Sequence, residues 1–107
     1  MKKQVIVLSL GGSLIIPNDI NLKFLEKFKK VILRHTKKYK FLIVCGGGSI
    51  ARKYISALKK AGLSPEFQSF SGISATRMNA RFMNYFFGIN PEQGIQHTTK
   101  TMEVYAN

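Results

Sequence analysis

The sequence has few residues that could form disulfides or hold zinc. It contains one cysteine, Cys45, two histidines and no tryptophan in 107 residues. One cysteine cannot form an intrachain disulfide, which predicts a reducing, cytoplasmic location. Cys45 lies in an apolar run, so we expect a small core residue rather than a nucleophile. One cysteine and two separated histidines cannot build a zinc site, and no metal ligands are predicted.

Acidic residues are also scarce. Five Asp and Glu stand against 17 Lys and Arg, for a formal net charge of +12. This excess favours an anionic partner, which could be a nucleotide, a nucleic acid, an acidic lipid or an acidic protein. A solvated lysine-rich surface would give the same composition, so charge alone does not choose. Hydrophobic residues make up 45%, which suits one small domain with a packed core.

No apolar run is long enough to span a membrane. The beginning of the chain, "MKKQVIVLSLGGSLII", has the basic start and apolar stretch of a signal peptide. Ser9 and the glycines interrupt the apolar part, and no small-residue cleavage site follows cleanly. The segment therefore predicts a strand followed by a glycine turn, and no membrane partner.

Hydrophobic periodicity predicts strands that alternate with helices. Buried strands are predicted at Val5–Leu10 and Phe41–Cys45. Helices are predicted at about 22–34 with Asn21 as N-cap, at 49–61 and at 73–87, with a loop or short extended piece at "EFQSFSG" and the start of a helix near 97–105. Strands separated by helices predict an α/β fold with parallel pairing. Two strands make a poor sheet, so the fold looks incomplete.

Both strands run into glycine turns, "LSLGGSLI" and "IVCGGGSIA". Open α/β sheets bind ligands at the carboxyl ends of their strands, and glycine lets backbone N–H groups approach phosphate oxygens. The helix N-terminus after the second turn favours an anion at the same place. Arg52 could add a guanidinium contact and Ser13 a hydroxyl. Such turns often carry glycine for structural reasons alone, but two of them in a basic chain favour phosphate binding.

A dinucleotide fingerprint is a competing interpretation of the second turn. Gly46, Gly48 and Ala51 fit G-x-G-x-x-A, and Glu66 lies near the distance expected for a ribose ligand. That fingerprint normally closes the first strand of its unit, and Glu66 does not end a convincing strand. A Walker A loop, G-x-x-x-x-G-K-[ST], is absent.

Three stretches resemble the amino acid kinase family, and within it the archaeal-type uridylate (UMP) kinases. They are "VLSLGGSLI" at 7–15, "IVCGGGSIARKYI" at 43–55 and "FQSFSGISATRMNA" at 67–80. The resemblance implies a three-layer α/β/α sandwich with a mainly parallel sheet. Because family members are about twice as long, it also implies that 1–107 is the N-terminal, phosphate-acceptor side of an incomplete domain.

The resemblance assigns roles residue by residue for transfer of the ATP γ-phosphate. It places ATP phosphates at Gly11, Gly12, Ser13, Gly48 and Arg52, and UMP at Gly46, Gly47 and Ser69. Two positions depart from the family. Ser9 stands where many members have a lysine, and Ser69 replaces an acidic residue. The missing half would carry the catalytic aspartate and the adenine pocket, so no catalytic residue is identified, and Mg²⁺ would accompany ATP without an identifiable ligand in this half.

The sequence thus predicts half of a UMP kinase-like phosphotransferase of pyrimidine nucleotide biosynthesis, inactive alone. Three alternatives stay open: a non-catalytic nucleotide- or anion-binding remnant, a kinase of this family with another phosphate or carboxylate acceptor, and a basic nucleic-acid-binding protein, which is the least favoured. The expected partners are UMP, ATP, and either further copies of the chain or a complementary C-terminal half. The helix that starts in "GISATRMNA" would join subunits.

Overall fold

The computed structural model describes residues 3–90 and the backbone of residues 102–106. The elements follow in the order β1 Gln4–Leu10, α1 Gly12–Ile15, α2 Leu22–Arg34, β2 Tyr39–Cys45, α3 Gly48–Lys60, α4 Pro65–Phe86 and β3 Met102–Ala106. No described helix combines the length and apolarity needed to cross a lipid bilayer.

The three described strands form one parallel sheet in the order β1-β2-β3. β1 pairs with β2 in a register that runs from Gln4 opposite Tyr39 to Leu10 opposite Cys45. The predicted α/β class with a parallel sheet is confirmed. Because Leu10 and Cys45 are paired, both strands end at the same level and the two glycine turns start side by side.

One face of the sheet carries the core. Alternate residues of β1 and β2 pack with residues of α2 and α4 in a single cluster, which contains Leu10, Ile15, Leu25, Ile32, Phe41, Ile43, Cys45, Ala80 and Met83. On the opposite face, Val5 is 50% and Val7 64% exposed. The described residues therefore build one helical layer on the sheet, which is two of the three layers of the expected sandwich.

α2 begins and ends as predicted. The Asn21 side chain accepts a hydrogen bond from the Phe24 N–H at 3.4 Å, which satisfies one of the donors left free at a helix start. Leu25 and Ile32 are buried. Four basic side chains, Lys23, Lys27, Lys30 and Arg34, recur at helical spacing on the exposed side.

α4 is longer than predicted. The loop expected at "EFQSFSG" is wrong, because one helix runs from Pro65 to Phe86. Ser64 precedes it in an extended conformation and Pro65 occupies its first turn, where a missing N–H costs nothing. Gly72 does not break the helix. A Cβ there would lie 3.2 Å from Cδ1 of Ile55, so this glycine lets α3 approach α4 closely.

α3 buries little of its surface, and Tyr54 is 54% exposed. The reason is that α3 packs on α4 and α1 rather than across the sheet, and only Ser49 of this helix is buried.

The end of the chain is also corrected. A helix was predicted near 97–105, but residues 102–105 belong to β3. Val104 and Tyr105 favour extended structure, and pairing with the open edge of β2 supplies the hydrogen bonds that β3 needs. The rest of that predicted helix, including His97, lies outside the described residues.

We predict that Cys45 reacts slowly in the folded protein. Its side chain is fully buried, and burial raises its pKa from 9.0 to about 11. At pH 8 the thiolate fraction should be about 100-fold lower than in the unfolded chain. Alkylation with iodoacetamide, followed by mass spectrometry with and without urea, measures the difference, and equal rates would contradict the buried placement.

The same raised pKa of Cys45 makes the folding stability depend on pH. Because the folded pKa is raised, the stability contribution of the protonated thiol is complete below about pH 9 and is lost as the pH rises through about 11.

Candidate functional site

The two glycine turns lie in direct contact at the carboxyl end of the sheet. The Gly46 N–H donates to the Leu10 carbonyl at 3.2 Å, and the Ser49 N–H donates to the Ile16 carbonyl at 3.2 Å. These bonds tie the end of β2 to the end of β1, and the start of α3 to the end of α1. The turns therefore form one structural unit.

The contact between the turns leaves no room for a side chain. A Cβ on Gly12 would lie 2.0 Å from the Gly48 nitrogen, and one on Gly48 would lie 2.5 Å from the Gly12 carbonyl oxygen. Gly48 also has φ +63°, a conformation that L side chains rarely adopt. Close packing of two backbones thus accounts for glycine at both positions without any ligand.

Gly11 is different, because packing does not require it. A Cβ there would meet nothing within 4 Å, and φ −58° with ψ 140° is open to any residue. Gly11 is exposed, so backbone N–H groups at this turn can be approached closely from solvent. Glycine with no packing reason is the pattern expected where a ligand approaches the backbone.

The second turn rests on α4. A Cβ on Gly47 would lie 2.5 Å from that of Ala51 and 3.1 Å from Oγ1 of Thr76. Nδ2 of Asn79 donates to the carbonyls of Gly46 at 2.9 Å and Gly47 at 3.0 Å. Thr76 and Asn79 are both buried. Two buried polar side chains of α4 therefore form the floor of the glycine turn.

A guanidinium group bridges the two turns. Nη1 of Arg52, in the second turn of α3, donates to Oγ of Ser13 in α1 at 3.2 Å. Both side chains are exposed. A guanidinium has five N–H donors, so this bond leaves others for an anion at the mouth of the turns.

The structure brings together most of the residues predicted for the site. Seven of them lie in or bridge the joined turns: Gly11, Gly12, Ser13, Gly46, Gly47, Gly48 and Arg52. Ser69 lies on α4, on the same side as Thr76 and about two turns before it, and is exposed. The ligands of these residues stay predictions.

Asn79 was missed as an individual site residue. It lies within the stretch "GISATRMNA", but sequence alone does not show that its amide reaches a turn more than 30 residues earlier. The available signal was a polar pair, Thr76 and Asn79, among the apolar residues Ala75, Ala80 and Met83. Spacing of three residues puts the pair on one side of the helix.

The dinucleotide interpretation does not fit the fold. Glu66 lies in the first turn of α4, whereas the fingerprint needs its acidic residue at the end of a strand. Across the described part of the chain, no group of three or more His, Cys, Asp and Glu residues could hold a metal ion.

Comparison with known proteins identifies the family. The model of the amino acid kinase family matches residues 4–105. The chain belongs to the amino acid kinase family. Among curated relatives of this kinase-family chain, uridylate kinase of Thermoplasma volcanium is 44% identical over 89 residues, which cover 82% of this chain and 39% of the relative. Uridylate kinase of Thermococcus kodakarensis is 35% identical over 78 residues, or 73% of this chain and 35% of the relative.

Solved structures agree with the family. Uridylate kinase from Archaeoglobus fulgidus superposes with a TM-score of 0.64 at 36% identity, covering 77% of this chain and 36% of the other. UMP kinase from Ureaplasma parvum superposes with a TM-score of 0.68 at 26% identity, covering 89% of this chain and 40% of the other. The amino acid kinase fold is thus confirmed, and the chain spans well under half the length of these relatives.

We predict that Gly12 does not tolerate replacement by alanine, whereas the neighbouring Gly11 does. Gly12→Ala should lower the free energy of unfolding by about 3 kcal/mol, because the new methyl group meets rigid backbone. Gly11→Ala is the matched control and should change stability by less than about 0.5 kcal/mol, because its Cβ meets open space. Urea denaturation followed by circular dichroism measures both, and equal effects would contradict the packing of the two turns.

Proposed function

We propose that this chain is the N-terminal half of a UMP kinase-like phosphotransferase, which transfers the γ-phosphate of ATP to UMP once a C-terminal half completes it. The observation that carries the proposal is the Arg52 bridge between two backbone-packed glycine turns at the carboxyl end of a parallel sheet. The relatives named uridylate kinase support UMP as the acceptor. The proposed setting is pyrimidine nucleotide synthesis in the cytoplasm.

The proposed roles divide the joined turns between two nucleotides. Backbone N–H groups of Gly11–Ser13 and Gly48, with Arg52, bind the phosphates of ATP. Gly46, Gly47 and Ser69 contact UMP. Phosphoryl transfer requires little covalent chemistry from the protein, and catalysis comes from alignment and charge stabilisation. A rigid backbone cradle with one guanidinium supplies both.

Other parts of the reaction must come from the second half. Mg²⁺ would arrive with ATP and would neutralise charge on its phosphates. Within the described residues no cluster holds such an ion. Ser9 is exposed and, as a hydroxyl, cannot place a positive charge near the transferred phosphoryl group. The exposed Val5 and Val7 face of the sheet is the surface that a further layer would cover.

A phosphotransfer assay tests this proposal. The chain is assayed with ATP, Mg²⁺ and UMP, alone and mixed with the C-terminal part of Thermoplasma volcanium uridylate kinase. We expect activity only in the mixture. If the mixture is inactive but the chain binds UMP and ATP, a non-catalytic nucleotide-binding role replaces the proposal. If it binds neither, the kinase proposal fails.

The neighbouring residue on α3, Lys53, serves as a control that separates the specific role of Arg52 from an effect of overall charge. In the active mixture, Arg52→Gln should lower kcat/KM by at least about tenfold, because a charge-assisted phosphate contact is lost. Lys53→Gln removes the same charge from the next residue, which is exposed and lies about 100° around the helix from Arg52. This substitution should change kcat/KM less than about twofold. Equal losses would indicate a nonspecific effect of net charge.

Self-association is part of the proposal and rests on α4. Its outer side carries exposed apolar residues over more than two turns, including Phe67 and Phe70, which are 53% and 54% exposed, and Met78, which is 64% exposed. An exposed apolar stripe of this length is a common helix-pairing surface. We propose that two copies pair along it.

Phe70→Asp and Met78→Asp should therefore shift the chain towards monomer in size-exclusion chromatography with light scattering, because each buries a charge in the pair. Lys53→Asp, on another helix, is the control for an added acidic residue. A monomeric wild-type chain would contradict the pairing.

A further inference from the structure

Asn79 makes the contacts that fix the shape of the second glycine turn. Its Nδ2 donates to two consecutive carbonyls, those of Gly46 and Gly47, at 2.9 and 3.0 Å. Both partners are acceptors, so only the NH₂ end of the amide can face them. Asn79 is 7% exposed, so its side chain lies largely beneath the turn.

The hold on the Gly47 carbonyl comes mainly from Asn79. Within α3 the same oxygen accepts from the Ala51 N–H at 3.4 Å, which is long for a helical bond. The Gly46 carbonyl precedes the helix and has no place in its hydrogen-bond ladder. Neither glycine has a side chain that could restrict its backbone, and Gly48 already has φ +63°. Without Asn79, the Gly46 carbonyl would lose this hydrogen bond and the Gly47 carbonyl would keep only the longer one from Ala51.

Fixing the two carbonyls also fixes two N–H groups. In a planar trans peptide the C=O of one residue and the N–H of the next point in opposite directions, and the structure contains no cis peptide among the described residues. The carbonyls of Gly46 and Gly47 point towards α4. The N–H groups of Gly47 and Gly48 therefore point away from α4.

We infer that Asn79 is a positioning residue that holds the Gly47 and Gly48 N–H groups in the orientation that receives a nucleotide phosphate. The inference rests on the proposed function, because it assigns these N–H groups a phosphate. Asn79 itself is buried and does not touch the nucleotide. Its contribution is preorganisation, since a cradle already in shape loses less conformational freedom on binding.

The same helix offers a matched control. Nδ2 of Asn84 donates to the Ala80 carbonyl at 2.9 Å, and Asn84 is 9% exposed. Asn79→Asp and Asn84→Asp therefore make the same isosteric change, at similar burial, in the same helix. Each substitution removes an amide N–H group that donates to a backbone carbonyl. Only Asn79→Asp places a carboxylate against the glycine carbonyls.

The experiment measures the binding of UMP and of Mg-ATP to the full chain by calorimetry, together with the thermal stability of each variant. We expect both substitutions to lower the melting temperature. Only Asn79→Asp should weaken binding, by about tenfold or more, whereas Asn84→Asp should bind within about twofold of wild type. If Asn79 had a purely structural role, Asn79→Asp and Asn84→Asp variants of similar stability would bind each nucleotide with similar affinity.

Each result decides between explanations. Wild-type affinity in folded Asn79→Asp, or equal weakening in both variants, overturns the inference and leaves the proposed function intact. A wild-type chain that binds neither UMP nor Mg-ATP and stays inactive when mixed with the C-terminal part refutes the proposed function and the inference with it. If Asn79→Asp does not fold, Asn79→Gln keeps the amide but displaces it by one methylene. It should fold and bind less tightly, and wild-type affinity there would overturn the inference.

Discussion

The backbone-to-backbone contact between Gly12 and Gly48 is the constraint on which the rest of the site depends. A Cβ on Gly12 would lie 2.0 Å from the Gly48 nitrogen, and a Cβ on Gly48 would lie 2.5 Å from the Gly12 carbonyl oxygen. Because the contact is this close, α1 and α3 begin next to each other and Arg52 can reach Ser13. Strand pairing brings the two turns side by side, and this packing then positions two helix starts and a cation. These glycines would be needed for folding even if no nucleotide bound.

α4 links the stability of the core to the geometry of the site. Ala80 and Met83 pack into the core beneath the sheet, while Thr76 and Asn79, one turn earlier, lie under the second glycine turn. A change in how α4 packs would therefore move the floor of the turn. The outer side of the same helix is apolar and exposed, so self-association would act on the site through the helix that supports it.

Local sequence patterns predicted what local physics determines, namely the two strands, α2 with its cap, and the paired glycine turns. The failures required knowledge of distant partners. Gly72 reads as a helix breaker until its contact with Ile55 is known, and Val104 becomes a strand residue because β2 offers a free edge. Asn79 belongs to the same class, since its amide serves carbonyls more than 30 residues away. The three-layer sandwich came from family resemblance, and the described residues form two of its layers.

The most direct test of the central claim, that the two turns form one phosphate-binding unit, is a ¹H–¹⁵N NMR titration of the wild-type chain with Mg-ATP and with UMP. We expect the backbone amides of Gly11–Ser13 and Gly48 to shift together on Mg-ATP addition, and those of Gly46 and Gly47 to shift with UMP. Shifts confined to the lysines of α2, or no shifts in the glycine turns at saturating nucleotide, would contradict it.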